Sequence, residues 1–327
     1  MSGRPCRLLA LITAVIAALA AGPGTPGAGP AAARPGPVTQ RVLGPRHLAI
    51  EVYSASMRRN IPVDVLLPSS GGPAPTLYLL NGASGGEDRA AWTVDGHAAE
   101  FFADKNVTVV IPMEGAFSYY TDWRRDDPML GRQRWETFLT RELPPVIDAA
   151  YGTTGRSAIA GLSMSGSAAL TLAERTRGRY AGVASFSGCP DTAGPLGSQY
   201  VRLTVEGRGA GDVANMWGPP GGPGWLAHDA ASNAHRLRGM YVFVSAGTGI
   251  PGPHDEDSSP QKIQQMLVGG PIEAAVDECS HRFVDTLHRL SIPVTTYFPA
   301  TGTHSFAYWD DALAHAWPGL SRALHVR

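Results

Sequence analysis

Lysine is nearly absent from this chain of 327 residues: only Lys105 and Lys262 carry it. The remaining positive charge is arginine, scattered without a basic run. With a formal net charge of −1, this excludes the electrostatic footprint of a nucleic-acid binder and leaves no bulk field toward an anionic membrane. Charged residues make up only 17% and apolar residues 43%, a balance that excludes a disordered chain and suits a large globular domain with a sizeable core. Cysteine is scarce, at three. Long apolar runs are scarce too: the one example, Leu8–Ala21, lies at the N-terminus, and no second span follows it.

That N-terminal run reads as part of a secretory signal. Arg4 and Arg7 precede it, and a Pro/Gly/Ala stretch, GPGTPGAGPAAARPGP, follows. A charged start, a short apolar middle and small residues after it suit a signal peptide better than a membrane span. Cleavage after Ala21 and after Ala33 both fit, so residues 1–33 are assigned to signal peptide and leader, and an exported protein without a transmembrane segment is expected. Removal of Cys6 with the signal leaves Cys189 and Cys279, and an even count in an oxidising compartment points to a disulfide.

From about Val38 to the end, composition is ordinary, with neither repeat nor linker, so residues 38–327 are read as one domain. HLAIEVYSAS and IPVDVLLP alternate like antiparallel strands. TLYLL (Thr76–Leu80) and NVTVVIPM (Asn106–Met113) are nearly all apolar, as strands buried on both faces are. Further strands are expected at SAIAG, GVASFSG, MYVFVSAGT and VTTYFP. Between them lie helical stretches around TVDGHAAEFFADK, RWETFLTRELPPVIDAAY, the segment after Ser163, EAAVDECSHRFVDTLHRL and HSFAYWDDALAHAWPGLSRAL. Alternation of strand and helix defines the α/β class, with a mostly parallel sheet and helices on both faces. GPPGGPGW (Gly218–Trp225) reads as an inserted surface loop.

The segment SAIAGLSMSGSAAL (Ser157–Leu170) carries the chemistry. It places Ser163 on a strand-to-helix corner among small residues, as a nucleophile elbow requires. The usual spacing is G-x-S-x-G; here Ser165 stands two residues after Ser163, and Gly166 follows one step later. A serine hydroxyl needs a base, normally histidine, oriented by a carboxylate. His304 follows the last strand and opens the last helix, where such a base belongs. For the acid, spacing alone offers Asp255, Glu256, Asp257 and Glu273, with the first cluster slightly favoured because it directly follows a strand. His254 lies in the same acidic loop, GPHDED, but without a metal-ligand spacing, so no metal is expected. An oxyanion hole is expected from the N–H groups of Met164, after the nucleophile, and Ala83, in the loop after Thr76–Leu80.

Six blocks in this order, YLLNGASGGEDRAAW, FSYYTDW, RWETFLTRELP, AIAGLSMSGSAAL, NMWGPP and GTHSFAYW, resemble the secreted mycolyltransferases of the antigen 85 type and their relatives in mycolate-bearing actinobacteria. LLNGASGGED, FSGC and DECSH look closer to the corynebacterial and nocardial members. The resemblance runs from about Arg46 to about Leu320 and implies the α/β-hydrolase fold. It implies Ser163 as nucleophile, His304 as base and, through a segment ending in Phe283-x-Asp285, Glu273 as acid. A Cys189–Cys279 bridge would then pin the acid-bearing segment. It also implies transfer of a mycolyl group from trehalose monomycolate to another trehalose monomycolate or to arabinogalactan, without cofactor. By the same resemblance Asn81, Trp123, Ser305 and Phe306 would contact substrate. Asn81 stands where the family has aspartate, Ser84 replaces a sugar-contacting arginine, and Phe306 replaces a tryptophan.

Two other functions share these residues. A carboxylesterase would let water resolve the acyl-enzyme. A binding protein would keep the fold without the chemistry, against which the presence of Ser163, Glu273 and His304 argues. Trp92, Trp123, Trp217 and Trp225 stack on sugar or line an acyl groove in one reading and pack the core in the other.

Overall fold

Strand residues sort to two sides with period two, and this sets the layers. The computed structural model describes residues 36–257 and 259–326; the expected signal peptide and leader lie outside them. Among the described residues, one sheet contains β1 (Thr39–Gly44), β2 (His47–Ser54), β3 (Arg59–Leu66), β4 (Thr76–Leu80), β5 (Thr108–Pro112), β6 (Ser157–Leu162), β7 (Gly182–Phe186), β8 (Tyr241–Ser245) and β9 (Thr295–Tyr297). Its order is β1-β2-β3-β5-β4-β6-β7-β8-β9. The β1–β2, β2–β3 and β3–β5 pairings are antiparallel, and all pairings from β5–β4 to β8–β9 are parallel.

Tyr78, Leu80, Val110, Ile159, Val183 and Val244 face one core; Leu77, Leu79, Val109, Ala160, Phe186 and Phe243 face the other. The helices, in chain order, are α1 (Ala98–Phe101), α2 (Trp135–Thr137), α3 (Leu143–Tyr151), α4 (Met164–Arg175), α5 (Pro195–Arg202), α6 (Val213–Met216), α7 (Pro223–Ala227), α8 (Ala230–Asn233), α9 (Pro260–Arg289) and α10 (Phe306–Leu324). α3 and α4 pack Ile147, Ala169 and Leu172 into the first core, while α10 packs Trp309, Leu313, Ala316 and Leu320 into the second. Each fully buried Leu or Phe contributes about 1.5–3 kcal/mol. α10, with Leu313 and Leu320 buried in this way and Trp309 and Ala316 on the same stripe, is therefore firmly seated, and its N-terminus becomes a fixed point beside the ends of the strands.

Several elements differ from the sequence reading. β1 was not foreseen, because as an edge strand it is almost wholly exposed and lacks alternation. The helix expected at residues 93–105 is only the one-turn α1. The stretch at 134–151 is helical, but a π segment, Phe138–Glu142, interrupts it. Pro144 and Pro145 follow at once; without N–H groups they cannot close the regular ladder. α9 begins 13 residues before Glu273 and runs through Pro271. The Gly218–Trp225 stretch is no mere surface insertion. It leads into α7, and Trp225 is wholly buried, its indole N–H donating to the Gly218 carbonyl at 3.0 Å.

Candidate active site

The parallel strands end on one edge of the sheet, and the candidate residues gather there. β6 ends at Leu162, and Ser163 turns the chain at φ 54°, ψ −124° before α4 starts at Met164. A non-glycine residue in this region is strained, and strain of this kind is held only by tight surroundings. Those surroundings begin two residues earlier: a Cβ at Gly161 would collide with the Ser165 backbone. The departure from the usual motif is put to use. Ser165 is buried, and its Oγ accepts from the Leu162 N–H at 2.9 Å and lies 3.0 Å from the carbonyls of Leu80 and Leu162. A hydroxyl where glycine is usual thus ties the elbow to the end of β4.

His304 lies between the last strand and α10. Its Nε2 is 2.8 Å from Ser163 Oγ, and its Nδ1 is 2.6 Å from Glu273 Oε2. A carboxylate only accepts, so Nδ1 carries the proton and Nε2 presents its lone pair to the serine hydroxyl. Glu273 is 1% exposed, so its charge depends on donors. Its Oε1 accepts from the Gly247 N–H at 2.7 Å and from Ser187 Oγ at 2.6 Å. Trp309 Nε1 lies 2.9 Å from that same Ser187 Oγ. An indole N–H can only donate, so the Ser187 proton is directed to Glu273. Trp309 also packs edge-on against the His304 ring at 4.9 Å.

Of the acids considered, Glu273 is the one in contact with His304. Asp255 does not touch the imidazole; it accepts from Thr303 and Tyr308. His254 bonds Asp311 at 2.8 Å. Cys189 and Cys279 are bridged, with Cα atoms 5.1 Å apart.

The cleft over Ser163 holds about 180 Å³ and is lined by Gly82, Ala83, Ser84, Asp88, Leu162, Tyr200, Thr204, Arg208, Ile272, Phe306 and Trp309 among others. Ala83 therefore borders the nucleophile. Met164 is the first residue of α4, so its N–H has no intrahelical acceptor. Phe306 lines the cleft. Asn81, Trp123 and Ser305 do not, which corrects the sequence reading. Asn81 is fully buried and organises its own loop, donating to the Pro112 carbonyl at 3.0 Å and accepting from the Trp92 N–H at 3.0 Å. Trp123 is buried with its N–H on the Ser118 carbonyl. Ser305 is buried as the residue preceding α10. Trp92, Trp217 and Trp225 are also core residues.

Tyr200, Leu203, Thr204 and Arg208 went unnoticed in the sequence. They lie on α5 and the π segment Leu203–Arg208 that continues it. The recurrence of Leu196, Tyr200 and Leu203 at helical spacing was the available signal. Ser187, at the end of β7, was visible only as part of FSGC. An open, largely apolar groove of about 810 Å³ adjoins the cleft, sharing Tyr200, Leu203 and Ile272 with it and adding Leu196, Gly207 and Pro271.

Hydroxyl, imidazole and carboxylate in this order, at the ends of parallel strands, define a class: serine-dependent enzymes of acyl transfer with the α/β-hydrolase fold. Comparison with known proteins narrows it. Residues 54–320 match the family model described as putative esterase. The diacylglycerol acyltransferase/mycolyltransferase Ag85A of Mycobacterium tuberculosis is 33% identical over 285 residues, spanning 84% of this chain and 80% of that protein. Ag85B of Mycobacterium leprae is 30% identical over the same length. Among solved structures, Mycobacterium tuberculosis MPT51 (FbpC1) matches with a TM-score of 0.70 and 28% identity, covering 84% of this chain and 97% of that one. An S-formylglutathione hydrolase from Agrobacterium tumefaciens, at 16% identity and TM-score 0.59, shares the fold. The chain belongs to the putative-esterase family, together with the antigen 85 mycolyltransferases.

Proposed function

We propose that this chain is an exported mycolyltransferase that moves a mycolyl group from trehalose monomycolate to a second sugar hydroxyl. Ser163 Oγ attacks the ester carbonyl while His304 Nε2 takes its proton, and Glu273 stabilises the imidazolium. The N–H groups of Ala83 and Met164 hold the oxyanion. Trehalose leaves with the proton from His304. The hydroxyl of another trehalose monomycolate, or of arabinogalactan, then attacks the acyl-enzyme with His304 as base, and Ser163 is regenerated. Residues 1–33 serve as export signal and leader, and residues 38–327 as the catalytic domain. Among the described residues no helix is long and apolar enough to cross a membrane.

The observation that carries this reading is the groove. A short-chain esterase has no use for a largely apolar groove of about 810 Å³ that shares Tyr200, Leu203 and Ile272 with the nucleophile's cleft; a long acyl chain does. Phe306, Ser84, Asp88 and Arg208 also line the cleft, and they would supply aromatic and polar contacts for sugar. The test is mass spectrometry of products from the purified protein and trehalose monomycolate. Trehalose dimycolate is expected. Free mycolic acid alone would make the protein an esterase, and neither product would refute the proposal.

A further inference from the structure

The acid that strand-end spacing favoured, Asp255, is buried to 7% exposure and yet takes no part in the Ser163–His304–Glu273 chain. A buried carboxylate is costly unless fully hydrogen-bonded. This one is bonded on both oxygens. Oδ1 accepts from Thr303 Oγ1 at 2.9 Å. Oδ2 accepts from the Tyr308 hydroxyl at 2.6 Å and from the Gly252 N–H at 3.0 Å. Thr303 directly precedes His304, and Tyr308 lies in the first turn of α10 just after it. One carboxylate therefore clamps the chain on both sides of the imidazole-bearing residue.

The loop that carries Asp255 is itself fastened to the same segment. The Gly302 N–H donates to the Ile250 carbonyl at 2.7 Å, and the Gly249 N–H donates to the Gly302 carbonyl at 2.8 Å. Thr248 Oγ1 donates to the Ala300 carbonyl at 2.9 Å. A Cβ at Gly252 would strike Thr301 Oγ1 and the Tyr308 hydroxyl, so the loop lies tight against residues 301–308. At its start, Gly247 holds Glu273. A single loop after β8 thus fixes both the acid and the base. Burial and the adjacent carboxylate push the Tyr308 phenol upward, which keeps it a donor.

We infer that Asp255 is a positioning residue for His304: through Thr303 and Tyr308 it sets where the imidazole stands relative to Ser163. This rests on the proposed roles of Ser163 and His304 but not on the identity of the acyl group. The test therefore uses a simple ester, p-nitrophenyl butyrate, and the rate of Ser163 labelling by a fluorophosphonate probe.

A displacement of about 1 Å at a reacting group costs on the order of 10²-fold, so Asp255→Ala should lower kcat about ten- to hundredfold with KM changed less than about twofold. Thr303→Val should lose several-fold in kcat, and Thr303→Ser, which keeps the hydroxyl, should restore it. In a His304→Ala background, Asp255→Ala should cause no further loss, because its effect passes through the imidazole. The inference is overturned by a folded Asp255→Ala enzyme with kcat within about twofold of wild type, by Thr303→Ser as slow as Thr303→Val, or by an equal loss without His304. Should Asp255→Ala fail to fold, the Thr303 pair decides. A wild-type protein inert to both reagents would defeat the proposed function instead.

Discussion

The Cys189–Cys279 bridge joins two segments that matter to Glu273. Cys189 stands two residues after Ser187, which donates to the carboxylate, and Cys279 lies six residues after Glu273 on α9. The bridged residues are 90 apart in sequence. In chain-entropy terms, closing a loop of that size removes freedom from the unfolded chain worth about 4–5 kcal/mol. For a domain of this size, a loss of 1 kcal/mol lowers Tm by about 2–4 °C, so Cys189→Ala/Cys279→Ala should melt roughly 10 °C or more below wild type. Ser280 Oγ still reaches the Gly188 carbonyl at 3.2 Å, and Glu273 keeps its donors Ser187 and Gly247. The local arrangement is therefore retained in part, and turnover of p-nitrophenyl butyrate should fall by only several-fold. Circular dichroism melts of wild type, reduced wild type and the double variant, with rates measured well below each Tm, make the comparison. A Tm within about 2 °C of wild type, together with unchanged turnover, would refute the idea that the bridge secures the acid-bearing helix.

Two further outcomes follow from the packing. His228 is buried, stacked on Trp217, and donates Nδ1–H to the Gly224 carbonyl at 2.7 Å; desolvation lowers its pKa from the ordinary 6.5 to about 4. The unfolded chain binds this proton below about pH 6.5 and the folded chain only below about pH 4, so its stability contribution is full above that window and lost as pH falls through it, about 3 kcal/mol in all. Urea midpoints across pH 4–7 should show this slope in wild type and a shallower one in His228→Asn; equal slopes would count against it. Ser165→Ala strips the acceptor from the Leu162 N–H and a donor from the end of β4, costing about 1–3 kcal/mol by urea unfolding; a loss under about 0.5 kcal/mol would contradict that role.

The parallel strands and the positions of Ser163 and His304 were legible because local rules dictate them: apolar runs of five or six residues, a small-residue corner, and a histidine between the last strand and helix. Glu273 was not legible from spacing. It sits inside a 30-residue helix rather than at a strand end, and its selection over Asp255 is a matter of tertiary contact that only resemblance anticipated. Asp255 looked catalytic for a sound reason, since it does occupy the strand-end loop, but its carboxylate turns to Thr303 and Tyr308. Asn81 and Trp123 were expected as substrate contacts through the resemblance, yet a loop amide and an aromatic ring serve binding and scaffolding equally well; burial separates the two, and burial is not local. β1 escaped notice because an exposed edge strand has no buried face to impose alternation.

Whether Ser163 is a nucleophile activated by His304 can be read from a single labelling experiment. Purified protein treated with a fluorophosphonate and digested should yield one adduct, on the peptide containing Ser163, with labelling abolished in Ser163→Ala and strongly slowed in His304→Ala and Glu273→Gln. Absence of an adduct on wild type, or undiminished labelling of Ser163→Ala, would contradict it.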